Sequence, residues 1–138
     1  MAKEGTATMT PDEIHALTNE QLDKALAEAM GWGLWDALPG VAMWADGTDR
    51  TRYLERDWHP STDLAASAEL LRMLLGMGCD VEMYLTAPGK IAVEIQQWRH
   101  PLPPSCSAII ENDNDPITAM LRAIAEAAYQ MLQERTPQ

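Results

Sequence analysis

Apolar residues recur at helical spacing near the end of the chain, and this is its clearest pattern. The repeat begins directly after Asp115-Pro116, where the aspartate can cap a helix and the proline suits its first turn. A wide apolar stripe of this kind is typical of a helix that packs one side against a core. The stripe consists of Ile117, Met120, Leu121, Ile124, Ala128, Met131 and Leu132, and Arg122 lies off it.

A second repeat at helical spacing predicts a helix in the middle of the chain. Its expected cap is Ser61 or Thr62, with Asp63 near the positive end of the helix dipole. Two glycines, Gly76 and Gly78, follow the last turn and are expected to end it. The side chains expected on its buried side are Leu64, Ala68, Leu71 and Leu75.

Alternating apolar and polar residues predict β-strands between these two helices. Residues 81–86 and 91–96 alternate in this way, and the proline and glycine within 87–90 are typical of a type II turn, so the two strands should form a hairpin. A third strand is predicted at 105–110, after an extended, proline-rich connection at 99–104. The side chains expected to face the core are Val81, Met83, Leu85, Ile91, Val93 and Ile95.

Two short capped helices are predicted near the N-terminus. Thr10 is the expected cap of the first helix, with Pro11 at its first position and Glu13 placed to complete a capping box. A second cap occurs within 18–21 and precedes a helix that should end at Gly31. The side chains expected to be buried are Ile14 and Leu17 in the first helix and Leu22, Leu26 and Ala29 in the second.

The segment 32–60 shows no sustained helical period. Short strands are predicted within it at 41–44 and 51–54. Tryptophans in such a segment either fill gaps over a core or line a ligand surface, and both roles are open here. The tryptophans concerned are Trp32, Trp35, Trp44 and Trp58.

Together these elements predict an α+β fold of the α/β/α-sandwich type, in which helices cover one face of a small antiparallel sheet and leave the other face open. Residues 1–9 are expected to be a disordered leader and residues 10–135 a single domain. A small sheet with an open face and an open edge can be covered by a second copy of the chain. We therefore expect a homo-oligomer, either a dimer or a dimer-based hexamer.

Composition and charge narrow the class of function. The 138 residues include 21 acidic and 10 basic side chains, a net charge of −11. Duplex nucleic acid is not an expected partner, because its binding depends on neutralising phosphates. No apolar run approaches the ~18 residues that a membrane span needs, and the N-terminus does not resemble a secretory signal. A cytoplasmic protein with reduced cysteines at Cys79 and Cys106 is expected.

Candidate chemistry is sparse. The three histidines share no metal-ligand spacing with one another or with the cysteines, so neither a metal site nor a cofactor is predicted. No nucleophile is paired with a base, so no catalytic residue is predicted and the protein is not expected to be an enzyme. Arg50, Arg52 and Arg56 lie close together and form either a solvated loop or a phosphate-binding group.

Several stretches resemble the phage ABA-sandwich domain family of small proteins encoded by bacteriophages and prophages. They are AMGW at 29–32, PSTDLAA at 60–66 and LRAIAEAA at 121–128, and the resemblance covers residues 9–132. Some proteins similar to this family sequester cyclic nucleotide signals of bacterial immunity without cleaving them. These signals include the cyclic ADP-ribose isomers of Thoeris and the cyclic oligonucleotides of CBASS-type systems.

The resemblance implies ligand pockets at oligomer interfaces, with arginines on phosphates and aromatic rings on adenine. Arg122 lies where such relatives place an arginine in the last helix. Trp98 continues the polar side of the second hairpin strand, and Arg99 follows it. The expected ligand-binding residues are Arg122, Trp98, Arg99, Arg52, Arg56 and Trp58.

Other roles are open for the same residues. Arg122 could instead pair with Glu126 at i+4 on the helix surface. Trp98 with Arg99 could form a dimer contact. The alternative function is a non-enzymatic phage protein-interaction module that binds a host or phage protein through the Trp-rich segment and the open sheet face.

Overall fold

The computed structural model describes residues 8–46, 51–86, 90–97, 105–111 and 115–135, and it confirms the α+β class. It contains two separate three-stranded antiparallel sheets where the sequence predicted one. The elements in chain order are α1 (Pro11–His15), α2 (Asn19–Ala29), β1 (Gly33–Leu38), β2 (Val41–Ala45), β3 (Thr51–Leu54), a 3-10 turn (Glu55–Asp57), α3 (Leu64–Gly76), β4 (Cys79–Thr86), β5 (Lys90–Gln97), β6 (Ser105–Glu111) and α4 (Pro116–Arg135).

Both N-terminal helices begin with the predicted capping boxes. The Thr10 hydroxyl accepts a hydrogen bond from the Glu13 N–H at 3.2 Å, and the Glu13 carboxylate accepts one from the Thr10 N–H at 2.9 Å. Thr18 and Gln21 repeat the arrangement at the start of α2. Gly31 follows α2 with a φ of +87°, a conformation that suits glycine and ends the helix.

The chain is already attached to α4 before α1 begins. The Met9 N–H donates to Gln133 Oε1 at 2.8 Å, and the Met9 carbonyl accepts from Gln133 Nε2 at 3.2 Å. Met9 is thus hydrogen-bonded to α4, and the disordered leader at residues 1–9 stays a prediction. Residues 1–7 lie outside the described part of the chain.

The Trp-rich segment forms the first sheet, in the order β1-β2-β3. Strands β2 and β3 confirm the two predicted strands, whereas β1 was not predicted. Trp32, Trp44 and Trp58 are buried in the hydrophobic core, and Trp35 is 47% exposed. The Trp58 ring lies 4.8 Å from the Trp32 ring and 4.9 Å from the Tyr53 ring, centroid to centroid. Three of the four tryptophans thus fill the core.

The second sheet has the order β4-β5-β6 and contains the predicted hairpin and third strand. Ile91, Val93 and Ile95 are buried on the face that packs against α4, while α3 packs against β4 and α1 and α2 pack against α4. Met83, predicted to be buried, is 47% exposed on edge strand β4. In the described ranges helices lie on one face of this sheet, as predicted.

Helix α3 differs from its prediction in cap and buried face. Asp63 is the cap and accepts from the Ala66 N–H at 3.1 Å, where Ser61 or Thr62 was expected. Leu64 and Leu75, predicted to be buried, are 60% and 57% exposed. The side chains that face the core are Ala66, Ser67, Leu70 and Leu74. The helix does end at Gly76 as predicted.

Helix α4 confirms most of its predicted stripe. Leu121, Ile124, Ala128, Met131 and Leu132 are buried. The prediction is wrong at the first residue of the stripe, because Ile117 is 52% exposed. Among the described residues, no helix combines the length and apolar character that crossing a membrane requires.

Candidate functional site

An open cleft lies where the junction of α1 and α2 faces the first turns of α4. Its volume is about 630 Å³. Side chains from distant parts of the chain meet here because α4 packs against both N-terminal helices. The cleft is lined by His15, Leu17, Thr18, Asn19, Ser61, Ile110, Asp115, Thr118, Ala119 and Arg122.

Arg122 is the most extensively bonded side chain of this cleft. Its Nη1 donates to Asn19 Oδ1 at 2.7 Å, and its Nε donates to Glu126 Oε2 at 2.6 Å. Its Nη2 faces the carbonyl oxygens of Leu17, His15 and Ile14 at 2.7, 3.1 and 3.3 Å. The predicted i+4 pair with Glu126 is confirmed. The side chain is only 13% exposed, so Arg122 joins α4 to the end of α1 rather than lying in solvent.

Glu126 lies beneath Arg122 and also contacts His15. Its side chain is 4% exposed, and its Oε2 lies 2.9 Å from His15 Nδ1. A carboxylate paired with a guanidinium acts as an acceptor, so Nδ1 of His15 is the donor in this contact. The His15 side chain is 63% exposed. The cleft therefore presents an imidazole whose orientation is fixed by a buried carboxylate.

The start of α4 supplies the opposite wall of the cleft. Asp115 Oδ2 accepts from the Thr118 hydroxyl at 2.7 Å, and Oδ1 accepts from the Ile117 and Thr118 N–H groups at 3.1 and 3.2 Å. The bonds from Thr118, its hydroxyl first, lower the pKa of Asp115 below its usual value of 3.8. Because this charge is directed at the helix N-terminus, part of it is offset by the helix dipole.

A buried polar network lies behind Ser61. Asp23 is 3% exposed, its Oδ1 accepts from the Ser61 N–H at 2.9 Å, and its Oδ2 lies 3.4 Å from His59 Nδ1. Its backbone carbonyl accepts from Trp58 Nε1 at 3.0 Å. Burial raises the pKa of Asp23, while the Ser61 N–H and His59 act in the opposite direction. The Ser61 hydroxyl has no hydrogen-bond partner within the described ranges.

The structure describes the side chains of three of the six predicted ligand-binding residues, namely Arg122, Trp58 and Arg56. Of these three, only Arg122 lines the cleft. Trp58 is buried and bonded to α2, so its ring offers no stacking surface, which corrects the role expected for it. Arg56 is exposed beside a separate cleft of about 280 Å³ that shares no lining residue with the first. The Arg52 side chain, Trp98 and Arg99 lie outside the described part of the structure.

Of the polar residues that line the cleft, only Arg122 was predicted as a site residue. Those missed are His15, Thr18, Asn19, Ser61, Asp115 and Thr118. Asp23, behind Ser61, was also missed, because an aspartate next to Lys24 on an amphipathic helix is typical of a solvated side. His15 gave no signal, since its partner Glu126 is 111 residues away in sequence.

Comparison with known proteins identifies no relative of this chain. The chain matches no protein-family model, no curated protein and no solved structure. Among the described residues, no group of three or more histidine, cysteine, aspartate or glutamate side chains is arranged to hold a metal ion.

Proposed function

We propose that this protein is a non-enzymatic binding protein that sequesters a small phosphorylated ligand in the cleft between the α1–α2 junction and α4. The first candidates are the cyclic nucleotide signals of bacterial immunity, which the family resemblance implies. In this proposal the protein is made by a phage, acts in the host cytoplasm and forms a homo-oligomer. The observation that carries the proposal is that Arg122, the arginine selected by the resemblance, lies in the wall of a ligand-sized cleft.

The size and lining of the cleft support this proposal. Small-molecule sites in proteins occupy roughly 300–1,000 Å³ and combine apolar walls with a few fixed polar groups. Here the apolar part comes from Leu17, Ile110 and Ala119. The polar part comes from His15, Thr18, Asn19, Ser61, Asp115, Thr118 and Arg122.

In this proposal Arg122 offers a phosphate fewer N–H donors than an arginine without protein contacts would. A guanidinium has five N–H donors, and the contacts to Glu126, Asn19 and three carbonyls occupy most of them. The remaining Nη1 donor is what a phosphate would meet. Because Arg122 is held rigidly, binding requires little side-chain ordering.

A thermal-shift panel tests the proposal. The purified protein is heated with cyclic ADP-ribose isomers, cyclic dinucleotides or cyclic trinucleotides. Ligand at 100 times its dissociation constant adds ~2.7 kcal/mol of stability, a shift of several degrees for a domain of this size. We expect one class to raise the melting temperature and to be recovered intact after heating. A flat panel at millimolar ligand, or recovery of a cleaved product, would contradict sequestration.

A protein-interaction function is the second candidate, and the first sheet favours it. Trp35, Met43 and Leu54 lie side by side on the face of β1-β2-β3 opposite buried Trp44. Leu38, on the same edge strand as Trp35, is 64% exposed. Trp35 is 47% exposed, and Met43 and Leu54 beside it are half-buried. Apolar side chains clustered at a surface in this way mark contact surfaces.

Substitution of Trp35 tests this second function. Because Trp35 lies on the open face of an edge strand, Trp35→Ser should leave the fold intact. If the sheet binds a host or phage protein, a partner retained by the wild-type chain from an infected-cell extract should be lost with Trp35→Ser. Retention of the same proteins by both chains would exclude this surface.

A further inference from the structure

The cleft between the α1–α2 junction and α4 has no surplus positive charge while its histidine is neutral. The described residues that line it include two basic side chains, His15 and Arg122, and one acidic side chain, Asp115. The charge of Arg122 is already balanced, because its Nε donates to Glu126 Oε2 at 2.6 Å. A charged group that leaves water needs a partner of opposite charge. A bound phosphate therefore requires a positive charge from another group.

The start of α4, which also faces the cleft, does not supply that charge. Asp115 Oδ1 already accepts from the N–H groups of Ile117 and Thr118 at 3.1 and 3.2 Å. Hydrogen bonds from Thr118 lower the pKa of Asp115, so its carboxyl stays negative near neutral pH. Of the described residues that line the cleft, His15 is the one that can still gain a positive charge.

His15 is placed to present this charge to a ligand. Its Nδ1 donates to Glu126 Oε2 at 2.9 Å, which holds the ring in the wall of the cleft. Its side chain is 63% exposed, and its Nε2 has no hydrogen-bond partner among the described residues. An imidazole carries a hydrogen on both nitrogens only when it is protonated. With Nδ1 as the donor to Glu126, Nε2 is an acceptor in the neutral ring and a donor in the protonated ring.

We propose that His15 binds an oxyanion of the ligand, such as a phosphate, through Nε2, and that binding requires the protonated ring. The neutral ring would direct a lone pair at the oxyanion, whereas the protonated ring would donate a charge-assisted hydrogen bond to it. Protonation also removes the excess of acidic charge that Asp115 gives the cleft beside the Arg122–Glu126 pair. This inference rests on the proposed binding function and deepens it, because it assigns the charged group of the ligand to His15.

The groups around the His15 ring determine how binding depends on pH. The charged groups of α4 on this side are the three already named, and α2 contributes the neutral Asn19 to the cleft. On α1 itself, Asp12 and Glu13 are exposed. Imidazole is the only one of these side-chain types whose ordinary titration lies between about pH 5 and about pH 8. A loss of anion binding within this range is therefore a property of His15.

The experiment titrates the full chain with sulfate, an oxyanion whose charge is constant over the pH range used, at fixed ionic strength. Proton NMR follows the histidine rings at about pH 6 and about pH 8, on either side of the ordinary imidazole titration. The variants are His15→Gln, whose amide can still donate to Glu126, and His15→Lys, which is positively charged at both pH values. The matched control is His59→Gln, because His59 also faces a buried carboxylate, Asp23 at 3.4 Å, but does not line the cleft.

We expect sulfate to shift the His15 resonances saturably at the lower pH. Binding should weaken by roughly tenfold or more at the higher pH or in His15→Gln, the loss expected for one charge-assisted hydrogen bond. His15→Lys should bind sulfate equally at both pH values, and His59→Gln should behave as the wild type. Absence of sulfate binding, binding that is independent of pH in the wild type, or binding that survives His15→Gln would overturn the inference.

The outcome is separate from that of the nucleotide panel. A nucleotide that stabilises His15→Gln as strongly as the wild type would leave the proposed function standing and overturn only the role of His15. A flat nucleotide panel together with sulfate binding that depends on His15 would contradict the proposed ligands and support the oxyanion site.

Discussion

At the scale of single residues, Arg122 connects the sequence pattern to the site. The i+4 spacing was sufficient to predict its pair with Glu126. The three carbonyl oxygens at the end of α1 could not be predicted, because they are more than 100 residues distant in sequence and become neighbours only through helix packing. The sequence pattern alone allowed Arg122 to be a solvated cation. In the structure its side chain is almost buried and neutralises Glu126.

The substitution Arg122→Met should destabilise the protein strongly. It leaves Glu126 buried without its cation and the end of α1 without a donor, and breaking such a pair costs about 3–5 kcal/mol. Urea unfolding measures the loss. Arg72→Met is the control, because Arg72 also pairs with a glutamate on its own helix but is 70% exposed, and no measurable change is expected. Similar losses for both variants would contradict a structural role for Arg122.

At the scale of elements, the prediction succeeded where local chemistry determines structure. The capping boxes at Thr10 and Thr18 and the alternation in β4 and β5 involve neighbours in sequence. The buried face of α3 was predicted wrongly because leucines occur on two sides of this helix. Only packing against β4 and α4 decides which side is buried. Strand β1 was missed because Leu34 and Trp35 are consecutive apolar residues that face opposite sides of the first sheet.

The buried carboxyl of Asp23 joins α2 to the segment before α3. Its titration should make the free energy of unfolding depend on pH. Burial raises its folded-state pKa above the ordinary 3.8. The stability contributed by the protonated carboxyl is therefore complete below 3.8 and is lost as pH rises through the raised pKa. As pH rises above about 4, the wild-type free energy of unfolding should fall relative to that of Asp23→Asn.

Each pH unit by which the folded-state pKa of Asp23 is raised changes the difference in unfolding free energy between the wild type and Asp23→Asn by about 1.4 kcal/mol. Urea unfolding at closely spaced pH values gives the two curves. Glu20→Gln serves as the control, since Glu20 is exposed and lies outside the buried network. A wild-type curve parallel to that of Asp23→Asn over the whole range would show that the carboxyl titrates alike in the folded and unfolded chains.

At the scale of the whole molecule, a strongly acidic protein contains one cleft in which acidic charges are compensated. Glu126 is paired with Arg122, and Asp115 is directed at the N–H groups of α4. A small anion can therefore approach this cleft despite the net charge of −11.

The most direct test of the account is calorimetric titration of the wild-type chain and two tryptophan variants with the ligand that shifts the melting temperature most. Thr118→Trp places a large side chain in the cleft, whereas Ala68→Trp adds the same bulk to an exposed position of α3 outside it. We predict that Thr118→Trp abolishes binding and that Ala68→Trp retains wild-type affinity. Wild-type affinity in Thr118→Trp would show that the ligand binds elsewhere and would contradict the proposed site.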